Sequence, residues 1–160
     1  MNAEEFQAEA QRIERLLYRI AWSYLDHEQD VEDAVQEGMV KAWEKRDSLK
    51  DIRQFKPWVT RILANHCKDV LRKRKRWSFY PLREDIVQVE MQEPEEPLMD
   101  AVRQLKPELR AVITLYYMEG YSIPEIAAML GIPPGTIKTR MRRARKQLGT
   151  ALFTETEAIR

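Results

Sequence analysis

A chain of 160 residues, 44% hydrophobic and 33% charged, reads as globular, with room for one ordinary domain or two small ones. It has no apolar run of about 18 residues, which argues against a membrane-spanning helix, and Met1 to Gln11 is acidic and lacks the apolar core of a secretion signal, so the expected location is cytoplasmic. One cysteine, Cys67, and two well-separated histidines, His27 and His66, exclude an internal disulfide and a cysteine-rich metal site; no cofactor or metal is expected.

In chain order, Phe6, Ala10, Ile13, Leu17, Ile20 and Tyr24 recur at three- and four-residue steps and predict one amphipathic helix, ended by Asp26 and His27. Val31, Ala34, Val35, Met39, Ala42 and Trp43 form the apolar stripe of a second helix, with Asp30, Glu32 and Asp33 in its first turn, where the helix dipole favours acids. Arg46 to Lys56 loses periodicity and reads as a loop. Pro57 suits the first turn of a third helix whose inner face is Trp58, Val59, Ile62, Leu63, His66, Val70 and Leu71. Cys67 reads as a small packing residue on that helix. Three such helices pack as a small antiparallel bundle.

Residues 81–97 carry Pro81, Pro94 and Pro97 among acids and read as an extended linker. Short helices are then predicted over 98–105, from Pro107 through Met118 with Gly120 as the stop, over 122–130, and over 136–148 after a turn at Gly131 and Ile132. No repeat and no strand pattern is present. The expected fold is all-α, with two small helical domains at 1–80 and 98–150, an acidic linker at 81–97 and a tail at 151–160.

The formal net charge of +1 hides a strong segregation. Asp85 to Asp100 holds six acids and no base, while Ala101 to Gly149 holds nine bases and three acids. Arg72-Lys73-Arg74-Lys75-Arg76 is an unbroken basic run. Two basic patches around an acidic spacer suggest two contacts with a polyanion; charge alone equally fits two solvated helix ends.

The strongest local signal runs from Ser122 to Arg140. Ala127 is small where two helices would cross, Gly131 allows the sharp turn, and Ile126, Leu130, Ile132 and Ile137 seal the core beneath. Pro133-Pro134 halts the first helix and sets up the second. The second then presents Lys138, Thr139, Arg140, Arg142, Arg143, Arg145 and Lys146, a composition suited to the DNA major groove. By position Lys138, Thr139, Arg142 and Arg143 are the base readers, and Arg140, Arg145 and Lys146 the phosphate contacts.

The third helix has a polar outer stripe, Arg61, Asn65, Lys68 and Arg72, followed by the basic run and by Trp77, Phe79 and Tyr80. Cations that track phosphates beside rings that stack on bases suit unpaired nucleotides, and an amide such as Asn65 can pair a base edge. The aromatics fit packing beneath the bundle equally well. The second helix carries an outer stripe of Asp33, Gln36, Glu37, Val40 and Glu44: a solvated face, or a docking face for a basic partner helix.

Together these motifs resemble the extracytoplasmic-function group of bacterial sigma factors, from about Arg15 to Leu148. The resemblance rests on Asp33-Ala-Val-Gln-Glu-Gly-Met-Val-Lys-Ala-Trp-Glu, on Phe55 to Arg72, and on Gly131 to Arg145, in that order. It implies that Asp33, Gln36, Glu37 and Val40 dock on the clamp coiled coil of core RNA polymerase, in a sigma region 2 bundle. It implies that Arg61, Asn65, Lys68, Arg72 and Trp77 read and help open the near promoter element, with a flipped base held by the loop Asp47 to Gln54. It implies that the helix-turn-helix, sigma region 4, binds the distant element, that the linker runs through the polymerase RNA channel, and that an anti-sigma factor holds the protein inactive. Gly38 and Met39 depart from the family's small or hydroxyl residue followed by a bulky aromatic, and Gly38 costs the helix about 1 kcal/mol. Pro57 stands where many members have another residue, which a helix start tolerates.

No Gly-rich phosphate loop and no nucleophile–base constellation is present, so no catalysis is expected. Two other classes share parts of the pattern: a dimeric helix-turn-helix regulator of duplex DNA, and an adaptor whose basic face binds RNA or an acidic partner. The stripe from Arg61 to Arg72 argues against the dimeric regulator, which needs no second reader.

Overall fold

The computed structural model describes residues 1–77 and 97–149, without the Trp77 side chain. The expected linker up to residue 96, Phe79, Tyr80 and the tail lie outside the described residues. Among the described residues there are eight α-helices: α1 (Ala3–Arg12), α2 (Glu14–Tyr24), α3 (Glu28–Glu44), α4 (Phe55–Trp77), α5 (Pro97–Gln104), α6 (Pro107–Ile113), α7 (Ile123–Leu130) and α8 (Pro134–Leu148). No strand occurs among the described residues.

The helix expected from Phe6 to Tyr24 is two helices. Ile13, at φ −116° and ψ 17°, leaves helical geometry between α1 and α2. The apolar period does not register the break, because both helices face the same core. Phe6 of α1 packs edge-on against Trp43 and Phe55, with centroids 5.3 and 5.5 Å apart. The segment expected as a loop contains two short 3-10 turns, Arg46–Ser48 and Ile52–Gln54, and α4 begins at Phe55.

Central to the molecule is α4, which packs against α2, α3 and α7. Val59, Leu63, Ala64 and Cys67 on it are fully buried with Leu17, Ile20, Ala21 and Tyr24 of α2 and Val31 and Ala34 of α3. Burial pushes the Cys67 thiol up to about 12, so it is an inert packing residue, as its place on an apolar face suggests. Gly38 on α3 has a packing reason: a Cβ there would sit 2.9 Å from Leu63 Cδ1. Its low helix propensity is the cost of bringing α3 and α4 close together.

In the second half, α6 begins with Pro107 at its N-terminus and passes into a π-helical segment, Thr114–Met118, where a continuous helix through Met118 was expected. Tyr117, on this widened segment, accepts a hydrogen bond from Arg145 Nε of α8 at 2.8 Å. Ser122 and Glu125 form a reciprocal capping box at the start of α7. Gly131 closes that helix in the left-handed region, φ +68°, and Pro134 opens α8 two residues earlier than the spacing predicted.

The halves also pack on one another, α2 on α6 and α4 on α7. Arg110 of α6 is buried and donates to the carbonyls of Ser23, at 2.6 Å, and Arg103, at 2.9 Å, while pairing with Asp26 at 3.3 Å. Arg19 pairs with Glu119 at 2.9 Å, and Lys56 lies 4.9 Å from the Tyr121 ring centroid.

Candidate nucleic-acid and partner interfaces

The outer face of α3 is open. Asp33, Gln36 and Glu37 are exposed, and Val40 is 57% exposed although it is a branched apolar residue on a regular helix. Behind this face lies His66 of α4, which the sequence placed on an inner face without a role. Its Nδ1 is 2.8 Å from Lys41 Nζ and its Nε2 is 3.0 Å from Glu37 Oε2.

The loop before α4 is held by its own side chains. Asp51 accepts from the Arg53 backbone at 3.0 Å and from its guanidinium at 2.9 Å, and these bonds hold the Asp51 carboxyl below its usual range. Trp58 Nε1 donates to Ser48 at 3.2 Å, tying the loop to α4, and Ile52 stands exposed.

The polar stripe of α4 is partly covered by the second half. Arg61 donates to the Ala128 carbonyl of α7 at 3.0 Å, and its stem crosses Gly131, where any Cβ would meet it at 2.9 Å. Gly131 is favoured by its positive φ, and any larger residue there would also displace the Arg61 stem. Lys68 is half-buried; burial, then Arg140 and Arg72, hold its ammonium below the ordinary lysine range. Asn65 is exposed, and so is Arg72, which pairs with Asp69 at 3.1 Å. Trp77 ends the helix.

On α8 the helix-turn-helix presents Lys138, Thr139, Arg142 and Arg143, all exposed, with Lys146 beyond them. Thr139 also donates to the Gly135 carbonyl one turn back, at 3.0 Å. Arg145 is engaged with Tyr117. Arg140 differs from the other basic side chains of α8. Its Nη1 is buried without a protein hydrogen-bond partner, in a region it shares with Lys68 and the equally unpartnered Tyr24 hydroxyl. The sequence spacing grouped Arg140 with outward phosphate contacts; in the structure its Nη1 is turned inward beside Lys68. Among the described residues no group of three or more His, Cys, Asp or Glu is placed to hold a metal ion, and no helix is long and apolar enough to cross a membrane.

Comparison with known proteins gives two family matches: residues 10–77 with Sigma-70 region 2, and residues 95–148 with Sigma-70, region 4. The chain is 34% identical over 147 residues to the ECF RNA polymerase sigma factor SigM of Mycobacterium tuberculosis, covering 88% of this chain and 74% of that protein. It is 29% identical over 153 residues to SigW of Bacillus subtilis, covering 82% and 80%. Among solved structures it is similar to the sigma factor RpoE bound to the anti-sigma factor NepR from Bartonella quintana, with TM-score 0.72, 28% identity, and 94% and 98% of the two chains covered. It is also similar to CnrH in complex with the cytosolic domain of CnrY, with TM-score 0.66, 29% identity, and 96% and 90% covered.

Proposed function

The chain belongs to the extracytoplasmic-function sigma factors, and from that membership we propose how its surfaces divide the work of initiation. Such a factor is not an enzyme: it binds core RNA polymerase and directs it to specific promoters. In this chain the docking face is Asp33, Gln36, Glu37 and Val40 on α3. The near-element reader is Arg61, Asn65, Lys68, Arg72 and Trp77, with the loop Asp47 to Gln54 holding a flipped base; unstacking costs a few kcal/mol, which that pocket offsets. The distant-element reader is Lys138, Thr139, Arg142 and Arg143, flanked by Arg140, Arg145 and Lys146 on phosphates. Residues 1–80 and 98–150 serve as the two binding domains, with 81–97 as the acidic linker between them and 151–160 as a tail.

The observation that carries this division is that two exposed faces of opposite charge stand on different helices: acidic on α3, basic on the second helix of a helix-turn-helix. One face fits a basic protein helix and the other a duplex. The protein works in the cytoplasm, with the polymerase. An anti-sigma factor holds it inactive, a reading supported by the similar sigma factor RpoE, which is bound by the anti-sigma factor NepR.

Run-off transcription from a genomic library of promoter fragments, with core polymerase alone and with this protein added, tests the proposal. Discrete transcripts that need the protein, and that vanish with Glu37→Lys and fall with Arg142→Ala, are the expected result. Stoichiometric DNA binding by the protein alone, with no new transcripts, would instead favour the dimeric duplex-DNA regulator.

A further inference from the structure

On a helix surface a glutamate followed four residues later by a lysine is the favoured order for an ion pair. Glu37 and Lys41 of α3 stand in that order. In the structure each is engaged with His66 instead, whose ring lies between them, 2.8 Å from the ammonium through Nδ1 and 3.0 Å from the carboxylate through Nε2. The histidine side chain is 7% exposed, while that of Glu37 is 65% exposed.

The chemistry of the pair fixes the ring. An ammonium has only donors, so Nδ1 must accept and Nε2 must carry the proton of a neutral imidazole. Burial first, and then the charge of Lys41, hold the ring below its ordinary pKa; Glu37 across the interface and Asp69 on α4 oppose this, and Lys73 adds to it. The Nε2–H faces Glu37 but off the line of a hydrogen bond. His66 therefore binds the lysine firmly and the glutamate loosely.

We propose that His66 is a positioning residue for the polymerase-docking face: it draws the Lys41 ammonium back against α4, so that Glu37 remains an unneutralised, outward carboxylate. The inference rests on the reading of α3 as the docking face. It concerns a residue that touches no partner and acts through the charge of one that does. Without His66, Lys41 is free to fold along the helix onto Glu37, and the acidic stripe loses its central charge.

Fluorescence titration of full-length variants against core polymerase tests this, alongside long-range proton–nitrogen NMR of the wild-type ring. His66→Phe removes the acceptor and is expected to weaken binding about fivefold, at the upper end of what one exposed charge contact contributes. His66→Asn, whose amide oxygen can replace Nδ1 toward Lys41, is expected to retain wild-type binding. The double variant His66→Phe with Lys41→Gln is expected to recover it, since no lysine is left to neutralise Glu37. The ring is expected neutral and Nε2-protonated at pH 7. A defect that persists in the double variant would show that His66 acts by packing alone and would overturn the proposal, as would an Nδ1-protonated ring. A Glu37→Gln defect with unaltered binding by His66→Phe overturns the inference and leaves the docking face standing. Unaltered binding by Glu37→Gln removes the docking reading itself, and the inference with it.

Discussion

The outer stripe of α4 and the outer face of α8 are both lines of basic and polar side chains at helical spacing, yet they meet different surroundings. On α8, Lys138, Thr139, Arg142 and Arg143 face solvent, with no acidic partner among the described residues. On α4, Arg61 donates to the Ala128 carbonyl, Lys68 is half-buried and Arg72 is paired with Asp69; only Asn65 is uncommitted. The proposed distant-element reader is open to solvent as it stands. The proposed near-element reader is partly covered by the other half of the same chain, at Arg61 and Lys68. A helix stripe identifies what a surface can bind, and its neighbours decide when.

The largest expected effect falls on the open face. Arg142→Ala and Arg143→Ala each remove a side chain placed for a base edge, and such a contact contributes about 1–3 kcal/mol. Each variant is expected to lower promoter-specific run-off transcription by about ten- to a hundredfold, with polymerase binding intact. Equal loss of polymerase binding would show that α8 is not a dedicated DNA reader. Next is the contact between α2 and α6. Arg110→Ala removes a buried guanidinium that joins the Ser23 and Arg103 carbonyls and Asp26. The variant is expected to lose about 2 kcal/mol by denaturant titration, as for hydrogen bonds to a charged group. It should also give a larger radius of gyration in solution scattering; an unchanged radius would mean that Arg110 does not hold the halves together. Smaller again is Ser122→Ala, which removes the capping box and is expected to cost about 1 kcal/mol. Its partner Glu125 is held below the usual glutamate range by the Ser122 bonds, so its contribution is present above that range and fades as the pH falls through its lowered pKa. If Ser122→Ala leaves acid stability unchanged, the cap is not what lowers that carboxyl.

The all-helical architecture, the helix-turn-helix and the family were legible in the sequence, because apolar periodicity, Gly131 and the basic run are local signals. What stayed hidden depends on residues far apart in the chain. The break at Ile13 falls on an apolar position that suits one helix or two. Gly38 read as a helix penalty until Leu63 was placed against it, 25 residues away. His66 was assigned to the inner face, but the pairing with Lys41 and Glu37 needs the register of α3 on α4. Spacing placed Arg140 among outward phosphate contacts and singled out no role for Arg110; in the structure Arg110 is buried with partners and the Arg140 Nη1 is turned inward without them. The candidate site residues were therefore readable as types and faces, and their state in the closed arrangement was not.

The smallest expected effect sharpens the comparison most, because stability and function should move in opposite directions. Lys68 lies half-buried beside Arg140, a like charge, with Glu108 as partial compensation. A base whose folded pKa is depressed weakens the folded state while it is protonated. That cost is fully present below the depressed value and fades as the pH climbs from it to the ordinary lysine range. The Arg140 Nη1 and the Tyr24 hydroxyl lie buried at the same seam without a protein hydrogen-bond partner. Lys68→Gln removes the repulsion and is expected to raise Tm by about 2 °C at pH 7, with the gain shrinking toward pH 10. The same variant is expected to form fewer open complexes, since the near-element reader has lost a cation and its cover holds more firmly. Permanganate footprinting of the melted strand measures the second effect. A fall in Tm would mean that Lys68 stabilises the seam, and the covered face would then be a stable resting surface that opens only when a partner pulls it apart.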